Sequence, residues 1–217
     1  MKISDMSYVV VEGPIGVGKT TLANKLALEW DAELLLEKVE NNPFLEKFYD
    51  NPEQLALATQ LYFLLIRTRQ IQAINQQSIF SDIRVSDFMP QKDRLFAQNN
   101  LTKDELDLYE QIYAYLTSSL PSPDLVIYLQ APTSILINRI KKRNRIFEKS
   151  MDIEYLEKLN NSYASFFHSY KNSTLLVVNT ENIDLLNNDN DYKTLLKKIS
   201  KIEDGIHYLN PMGSIAS

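Results

Sequence analysis

The sequence contains no cysteine, which excludes disulfides and thiolate-bound metal sites. No apolar run approaches the length that a helix needs to cross a bilayer. The opening residues, 1–5, are too polar for a signal peptide. The net charge of -5 lacks the basic surplus of a general nucleic-acid binder. We therefore expect a cytoplasmic protein with neither a membrane nor a nucleic acid as partner.

Glycine is also scarce, and its distribution is uneven. Only five glycines occur, and three of them lie within the stretch Gly13-Pro14-Ile15-Gly16-Val17-Gly18-Lys19-Thr20. A short apolar run, 8–11, precedes this stretch, and residues with helical apolar spacing follow it. The pattern G-x-x-x-x-G-K-[ST] between a strand and a helix predicts a phosphate-binding loop rather than a chance glycine turn.

The chemistry of this loop follows from its residue types. Glycines allow successive N–H groups to point inward at an anion, and the helix N-terminus adds partial positive charge. Lys19 would place a charge on the outer phosphates, and the Thr20 hydroxyl could hold Mg²⁺. The predicted nucleotide-binding residues are Gly13, Gly16, Gly18, Lys19, Thr20 and Thr21.

The rest of the chain alternates apolar strands with helices, and its length suits one domain, 1–217. The predicted strands are 8–11, 32–36, 83–87, 124–129 and 175–178, where 79–80 could extend the third. The predicted helices are 19–30, about 43–50, 53–77, 92–98, 102–119, 132–142, 152–170 and 192–202. Continuous apolar strands predict an α/β fold, a five-stranded parallel sheet with helices on both faces. We expect 187–191 to be a loop and the tail from Gly205 to be loosely held.

Two carboxylates end predicted strands, where parallel sheets bind ligands. Glu37 follows the second strand and could accept a proton from a hydroxyl that attacks a γ-phosphate. Asp87 follows the third strand and could hold Mg²⁺ through water. The alternatives are a surface glutamate and a helix-capping aspartate.

Basic residues are concentrated on two predicted helices. Arg139, Arg143 and Arg145 form one cluster, which is either a solvated helix face or an arginine-rich lid at about 139–150. On the long helix, Gln60 and Arg67 share a face. Arg67 lies among apolar residues, so we expect a partner for its charge.

Together these segments resemble the deoxyribonucleoside kinase family, from about Val9 to about Tyr170. The resemblance implies a phosphate-loop kinase fold and gives Glu37, in Glu37-Lys38-Val39, the role of catalytic base. It also implies a functional lid of three arginines, Arg139, Arg143 and Arg145. The substrate contacts that it implies are Tyr49 and Glu148 at the sugar 3′-hydroxyl, Gln60 and Arg67 at the base, and Asp93 paired with Arg67. The segment 42–45, Asn-Pro-Phe-Leu, is similar to bacterial members.

One position departs from the family pattern, which has an arginine directly after the acid of the third strand. Here the segment is Ser86-Asp87-Phe88. That arginine orients the base and the reacting phosphate in the family. We therefore expect either that Arg84 or another basic residue takes its place, or that the site is arranged differently.

The resemblance implies transfer of the γ-phosphoryl group of ATP to a deoxyribonucleoside 5′-hydroxyl, with Mg²⁺, by a homodimer. We expect purine deoxynucleosides or deoxycytidine to be preferred over thymidine. The alternatives are a deoxynucleoside monophosphate kinase of the thymidylate kinase type and a nucleotide-binding regulatory module without catalysis. The first would need an Asp-Arg-aromatic motif at the third strand, and this sequence has none there.

Overall fold

A computed structural model describes residues 3–76, 83–145, 148 and 151–210. Within these residues, six strands form one parallel sheet in the order β2-β3-β1-β4-β5-β6. The strands are β1 (Tyr8–Glu12), β2 (Glu33–Leu35), β3 (Arg84–Ser86), β4 (Leu125–Gln130), β5 (Thr174–Asn179) and β6 (Ile206–Leu209). The predicted α/β architecture is confirmed.

Helices cover both faces of the sheet. The α-helices in the described residues are α1 (Lys19–Trp30), α2 (Leu45–Asp50), α3 (Pro52–Gln76), α4 (Gln91–Asn100), α5 (Lys103–Thr117), α6 (Thr133–Arg143), α7 (Ile153–His168) and α8 (Asp189–Ile199). Short 3₁₀ turns occupy Ile3–Asp5 and Val39–Asn41. None of the described helices is long and apolar enough to cross a membrane.

Strand β1 shows why the sheet is buried on both faces. Val9 and Val11 pack into one hydrophobic cluster, with residues of α1, α6 and α8. Tyr8 and Val10 point the other way, into a cluster with residues of α4 and α7. Alternate side chains of a strand face opposite sides, so a continuous apolar run produces two core layers. The central position of β1 also puts the loop that follows it at the middle of the sheet.

The sheet has six strands, so the prediction of five was wrong. Strand β6 pairs in parallel with β5, with Leu176 opposite His207 and Val178 opposite Leu209. As an edge strand it is only half buried, and Tyr208 is 59% exposed. Its sequence therefore lacks the continuous apolar run that marks the other strands. The expectation of a loose tail from Gly205 was wrong for 206–209, while 211–217 lie outside the described residues.

The last helix begins earlier than predicted. The Asn188 side chain accepts hydrogen bonds from the backbone N–H groups of Asn190 and Asp191, at 3.0 and 3.4 Å, and so caps the N-terminus of α8. Part of the polar run that we interpreted as a loop therefore forms the first turn of a helix. At the N-terminus of α5, Thr102 and Glu105 form a capping box. The possible extension of β3 to 79–80 lies outside the described residues.

Candidate active site

The phosphate loop lies between β1 and α1, as the motif predicted. Two of its glycines are required by close contacts. A Cβ on Gly13 would lie 2.3 Å from the carbonyl oxygen of Leu129, and one on Gly16 would lie 2.7 Å from Ile140 Cγ1. Gly16 also has a φ of +85°, which L side chains rarely adopt. The loop conformation is thus determined by its own residue types.

Lys19 lies over the loop at the start of α1. Its ammonium group donates to the carbonyl oxygens of Gly13 and Pro14, at 2.7 and 3.1 Å. Burial lowers the pKa of Lys19 to about 8, against the opposing effect of nearby carboxylates, of which Glu12 is the strongest. A cation in this state gains from an anionic ligand, because a phosphate would restore the charge stabilisation that burial removes.

A cavity of about 350 Å³ opens on one side of the loop. It collects most of the side chains that the sequence singled out. The predicted site residues that line it are Gly16, Lys19, Thr20, Glu37, Tyr49, Gln60, Arg67, Asp87, Arg143, Arg145 and Glu148. They come from six separate segments of the chain, 16–20, 37, 49, 60–67, 87 and 143–148, so the fold brings them together. We call this cavity the acceptor cavity.

Glu37 lies in this cavity and is held by two cations. Its Oε1 accepts from Arg67 Nε at 2.6 Å and also from Arg67 Nη2, and its Oε2 accepts from Lys92 Nζ at 2.8 Å. Burial raises the pKa of Glu37, but Arg67 and Lys92 outweigh it and lower the pKa to about 2. The glutamate is therefore an ionised, oriented carboxylate, and the alternative of a simple surface residue does not describe it.

Asp87 joins the end of β3 to the phosphate loop. Its Oδ2 accepts from the Thr20 hydroxyl at 2.5 Å, and its Oδ1 accepts from the backbone N–H of Glu37 at 2.8 Å. The residue that caps α4 is Pro90, so Asp87 is not the helix cap that the sequence allowed. A carboxylate beside a hydroxyl is a set of oxygen donors that fits Mg²⁺, which usually takes one or two protein ligands and keeps its other positions for water and phosphate.

Arg67 pairs with Asp93, the partner that the family resemblance implied. Arg67 Nη1 contacts Asp93 Oδ1, and the aspartate is fully buried. The Phe63 ring lies 4.6 Å from the guanidinium carbon. The same guanidinium therefore bridges Asp93 and Glu37, a connection that the sequence did not suggest.

The predicted lid residues separate into two groups. Arg143 pairs with Glu148, with Nε 3.2 Å from Oε2, and Arg145 Nη2 lies 3.3 Å from Glu40 Oε1. Arg139 lies apart from them and donates to the Thr180 side chain and carbonyl, at 3.0 and 2.9 Å.

Arg139 lines a second cavity, of about 460 Å³, on the other side of the phosphate loop. Gly18 and Thr21 line it too, and Gly16 and Arg143 border both cavities. We call it the donor cavity. The loop therefore stands between two spaces, which is the arrangement that a two-substrate transfer requires.

Two buried charged residues at the site were missed by the sequence analysis. Lys92 is 3% exposed and contacts Glu37. Glu12 is fully buried and accepts from the N–H of Gly13 at 2.9 Å, the N–H of Met89 at 3.2 Å and the Tyr163 hydroxyl at 3.2 Å. Burial raises the pKa of Glu12, opposed mainly by Lys92. Glu12 could have been found by the pattern that marked Glu37 and Asp87, a carboxylate at the end of a strand. The sequence marked Lys92 only by its position in the first turn of the helix that follows β3.

The departure at Phe88 also has a structural counterpart. Phe88 is fully buried and packs with Ile71. Arg84, one of the suggested replacements, starts β3 and pairs with Glu33, Nε to Oε2 3.0 Å, so it does not reach the cavity. The cation that does lie beside Glu37 from this part of the chain is Lys92.

Comparison with known proteins agrees with this geometry. Residues 9–203 match the family model described as deoxynucleoside kinase. The deoxyguanosine kinase of Bacillus subtilis (strain 168) is 32% identical over 200 residues, which cover 90% of this chain and 97% of that protein. The deoxyadenosine/deoxycytidine kinase of the same bacterium is 28% identical over 206 residues, 90% of this chain and 93% of that protein.

A solved structure gives the same result at the level of the fold. The structure of deoxyadenosine kinase from M. mycoides with bound dATP superposes with a TM-score of 0.76 at 26% identity, over 89% of this chain and 98% of that one. Neither a thymidylate-type kinase nor a regulatory module is needed to explain the site. The family match covers most of the chain, and the kinases reported above align with it over nearly their whole length. The chain therefore belongs to the deoxynucleoside kinase family and phosphorylates a deoxynucleoside 5′-hydroxyl with ATP.

Proposed function

We propose that this kinase acts on purine deoxynucleosides or deoxycytidine ahead of thymidine, with ATP in the donor cavity and the nucleoside in the acceptor cavity. The observation that carries the proposal is that Arg67, which lines the acceptor cavity, forms a buried pair with Asp93. The Bacillus relatives, named for deoxyguanosine and for deoxyadenosine and deoxycytidine, support the same three bases.

In the proposed reaction, the 5′-oxygen of the nucleoside attacks the γ-phosphorus as the bond from that phosphorus to the bridging oxygen of ADP breaks. The hydroxyl proton passes to Glu37. A carboxylate with a pKa of about 2 is a weak base, so its role is to orient the hydroxyl and to take the proton late, when the new bond is largely formed. Tyr49 and Glu148 would hold the 3′-hydroxyl, which aligns the 5′-oxygen with the donor.

Positive groups surround the place where the phosphoryl group would pass. Lys19 would contact the outer phosphates, and Arg143 and Arg145 would stabilise the charge on the transferring group. Arg139, which lines the donor cavity, would contact ATP. Thr20 and Asp87 would hold Mg²⁺, which would neutralise phosphate charge when bound.

The preference for the base follows from which groups are left unpaired. Gln60 can donate and accept, so it accommodates either kind of ring. Asp93 would accept from an exocyclic amino group while Arg67 donates to a ring nitrogen or carbonyl. Thymine has a carbonyl and a methyl group where the amino group would be, which sets an acceptor against a carboxylate. Sites with buried polar groups left unpaired reject such analogues strongly.

The test is kcat/KM for the four deoxynucleosides. We expect thymidine to fall about 10²-fold or more below the best substrate. The double variant Arg67→Met with Asp93→Ala should reduce the ratio of kcat/KM for the best substrate to kcat/KM for thymidine. Turnover with all four deoxynucleosides should fall, because Arg67 also holds Glu37. Arg69→Met, an exposed arginine of the same helix, is the matched control and should leave the ratio unchanged. Thymidine as the best substrate of the parent enzyme would refute the assignment.

The lid arginines give a second, separate prediction. Arg145→Ala should lower kcat about 10²-fold with little change in the nucleoside KM, because its proposed role is to stabilise charge in the transition state. Arg143→Ala should lower kcat and also raise the nucleoside KM, since it releases Glu148. Steady-state kinetics measure both effects, with Lys141→Ala as the control for charge on α6. A loss confined to KM in Arg145→Ala would place that residue outside the phosphate site.

We also propose that the enzyme is a cytoplasmic homodimer. The dependence on ATP supports a cytoplasmic location. The packed pair α3 and α5 supports the dimer, because it presents the exposed apolar side chains Leu65, Leu108 and Tyr115, at 40%, 48% and 83% exposure. Sedimentation equilibrium decides the second point, and a mass of one chain, 25.1 kDa, at micromolar concentration would contradict it.

A further inference from the structure

Lys92 is a buried lysine whose position no sequence motif explains. It lies in the first turn of α4, is 3% exposed, and lines the acceptor cavity. A buried ammonium group is costly unless it is paired, and its partner is Glu37, 2.8 Å from Nζ to Oε2. The pair therefore fixes the position of both groups.

The contacts of Glu37 show what Lys92 adds. The backbone N–H of Glu37 is held by Asp87, and its Oε1 is held by Arg67. The remaining oxygen, Oε2, is held by Lys92 alone among the described residues. Without that contact the carboxylate would be free to turn and present both oxygens to the guanidinium of Arg67, which favours two parallel hydrogen bonds. Lys92 therefore determines the plane of the carboxylate and which of its oxygens faces the cavity.

The surrounding charges agree with a role beyond folding. Lys92 lies close enough to Lys19 and Glu12 to affect the charge state of both. An ammonium group that served the fold alone would not need a position from which its charge lowers the pKa of Lys19, the lysine of the phosphate loop. Two positive groups in one small cavity with an oriented carboxylate suit an anionic group passing between two substrates.

We propose that Lys92 is a positioning residue for phosphoryl transfer, one that acts by holding Glu37 in the orientation in which it receives the 5′-hydroxyl proton. This inference rests on the proposed role of Glu37. It also assigns the basic residue that the sequence lacks at Phe88 to the first turn of the next helix. Lys92 does not itself need to touch the nucleoside.

The first test compares Lys92→Met with Lys92→Arg. Methionine keeps the length and the burial of the side chain and removes the charge, so the fold should persist, and thermal unfolding checks this. We expect Lys92→Met to lower kcat about 10²-fold, the scale of a small misplacement of a reacting group, with little change in the nucleoside KM. Arginine keeps the charge and should recover most of the loss. Lys103→Met, an exposed lysine at the start of α5, is the matched control and should turn over like the parent.

The second test is a double-mutant cycle with Glu37→Gln. Because Lys92 acts through Glu37, adding Lys92→Met to Glu37→Gln should lower kcat by less than about 3-fold further. Independent losses that multiply would show that Lys92 acts on another part of the site and would overturn the proposal. Unchanged turnover in Lys92→Met would overturn it too, even where Glu37→Gln is inactive. Unchanged turnover in Glu37→Gln itself would refute the role of Glu37 in the proposed function, and the inference with it.

Discussion

Lys19→Ala should reduce phosphoryl transfer by about 10³-fold or more and leave the fold intact. The ammonium group of Lys19 contacts two carbonyl oxygens of the loop. Burial already lowers its pKa to about 8, so its removal relieves an unfavourable charge in the free protein. The loss should therefore appear in turnover and in ATP affinity, and not in the melting temperature.

The matched control is Lys193→Ala, which removes an exposed lysine from α8. It should turn over like the parent, and both variants should give the parent's circular dichroism spectrum and melting temperature. If folded Lys19→Ala phosphorylates a deoxynucleoside at the parent rate, the loop does not bind the phosphates that take part in the transfer. The donor and acceptor cavities would then have a different role.

The features that were predictable from sequence are those whose geometry depends on residues close to them in the chain. The phosphate loop is one, because Gly13 and Gly16 have conformations and contacts that other residues cannot adopt. The buried strands are another, since a continuous apolar run such as β1 has few alternatives. The partner of Arg67 was also predictable, but only by resemblance, because nothing in the spacing of two helices fixes which side chains meet.

The features that were not predictable depend on tertiary placement. Lys92 is one charged residue among several in a polar helix, and its burial follows from where α4 packs after β3. Strand β6 is an edge strand whose half-exposed residues carry no continuous apolar signal. The bridge from Asp93 through Arg67 to Glu37 joins α4 and α3 to the segment after β2, so it could be seen only in the structure.

Glu37→Gln should lower kcat by about 10²-fold or more, the scale of a positioned general base. Glutamine has the shape of glutamate, and the backbone N–H of residue 37 would still donate to Asp87. The phosphate loop and β3 should therefore keep their relative positions. ATP affinity should change little, because Glu37 lies in the acceptor cavity and the donor cavity is on the other side of the loop. Steady-state kinetics and an ATP titration measure the two quantities separately.

The same substitution should also lower stability, and this second effect has to be separated from the first. Glu37 pairs with both Arg67 and Lys92. Gln would leave Lys92 beside a neutral acceptor and Arg67 with Asp93 as its remaining ion-pair partner, at a cost of about 3 kcal/mol. Glu33→Gln is the matched control, since Glu33 starts β2, the strand that precedes Glu37, pairs with Arg84 and does not line the cavity. Assays well below the melting temperature of Glu37→Gln compare folded enzymes only. If kcat then changes little while the melting temperature falls, Glu37 is a structural ion-pair residue and the proton acceptor lies elsewhere. If kcat falls while Glu33→Gln keeps the parent rate, the carboxylate of Glu37 itself takes part in the transfer.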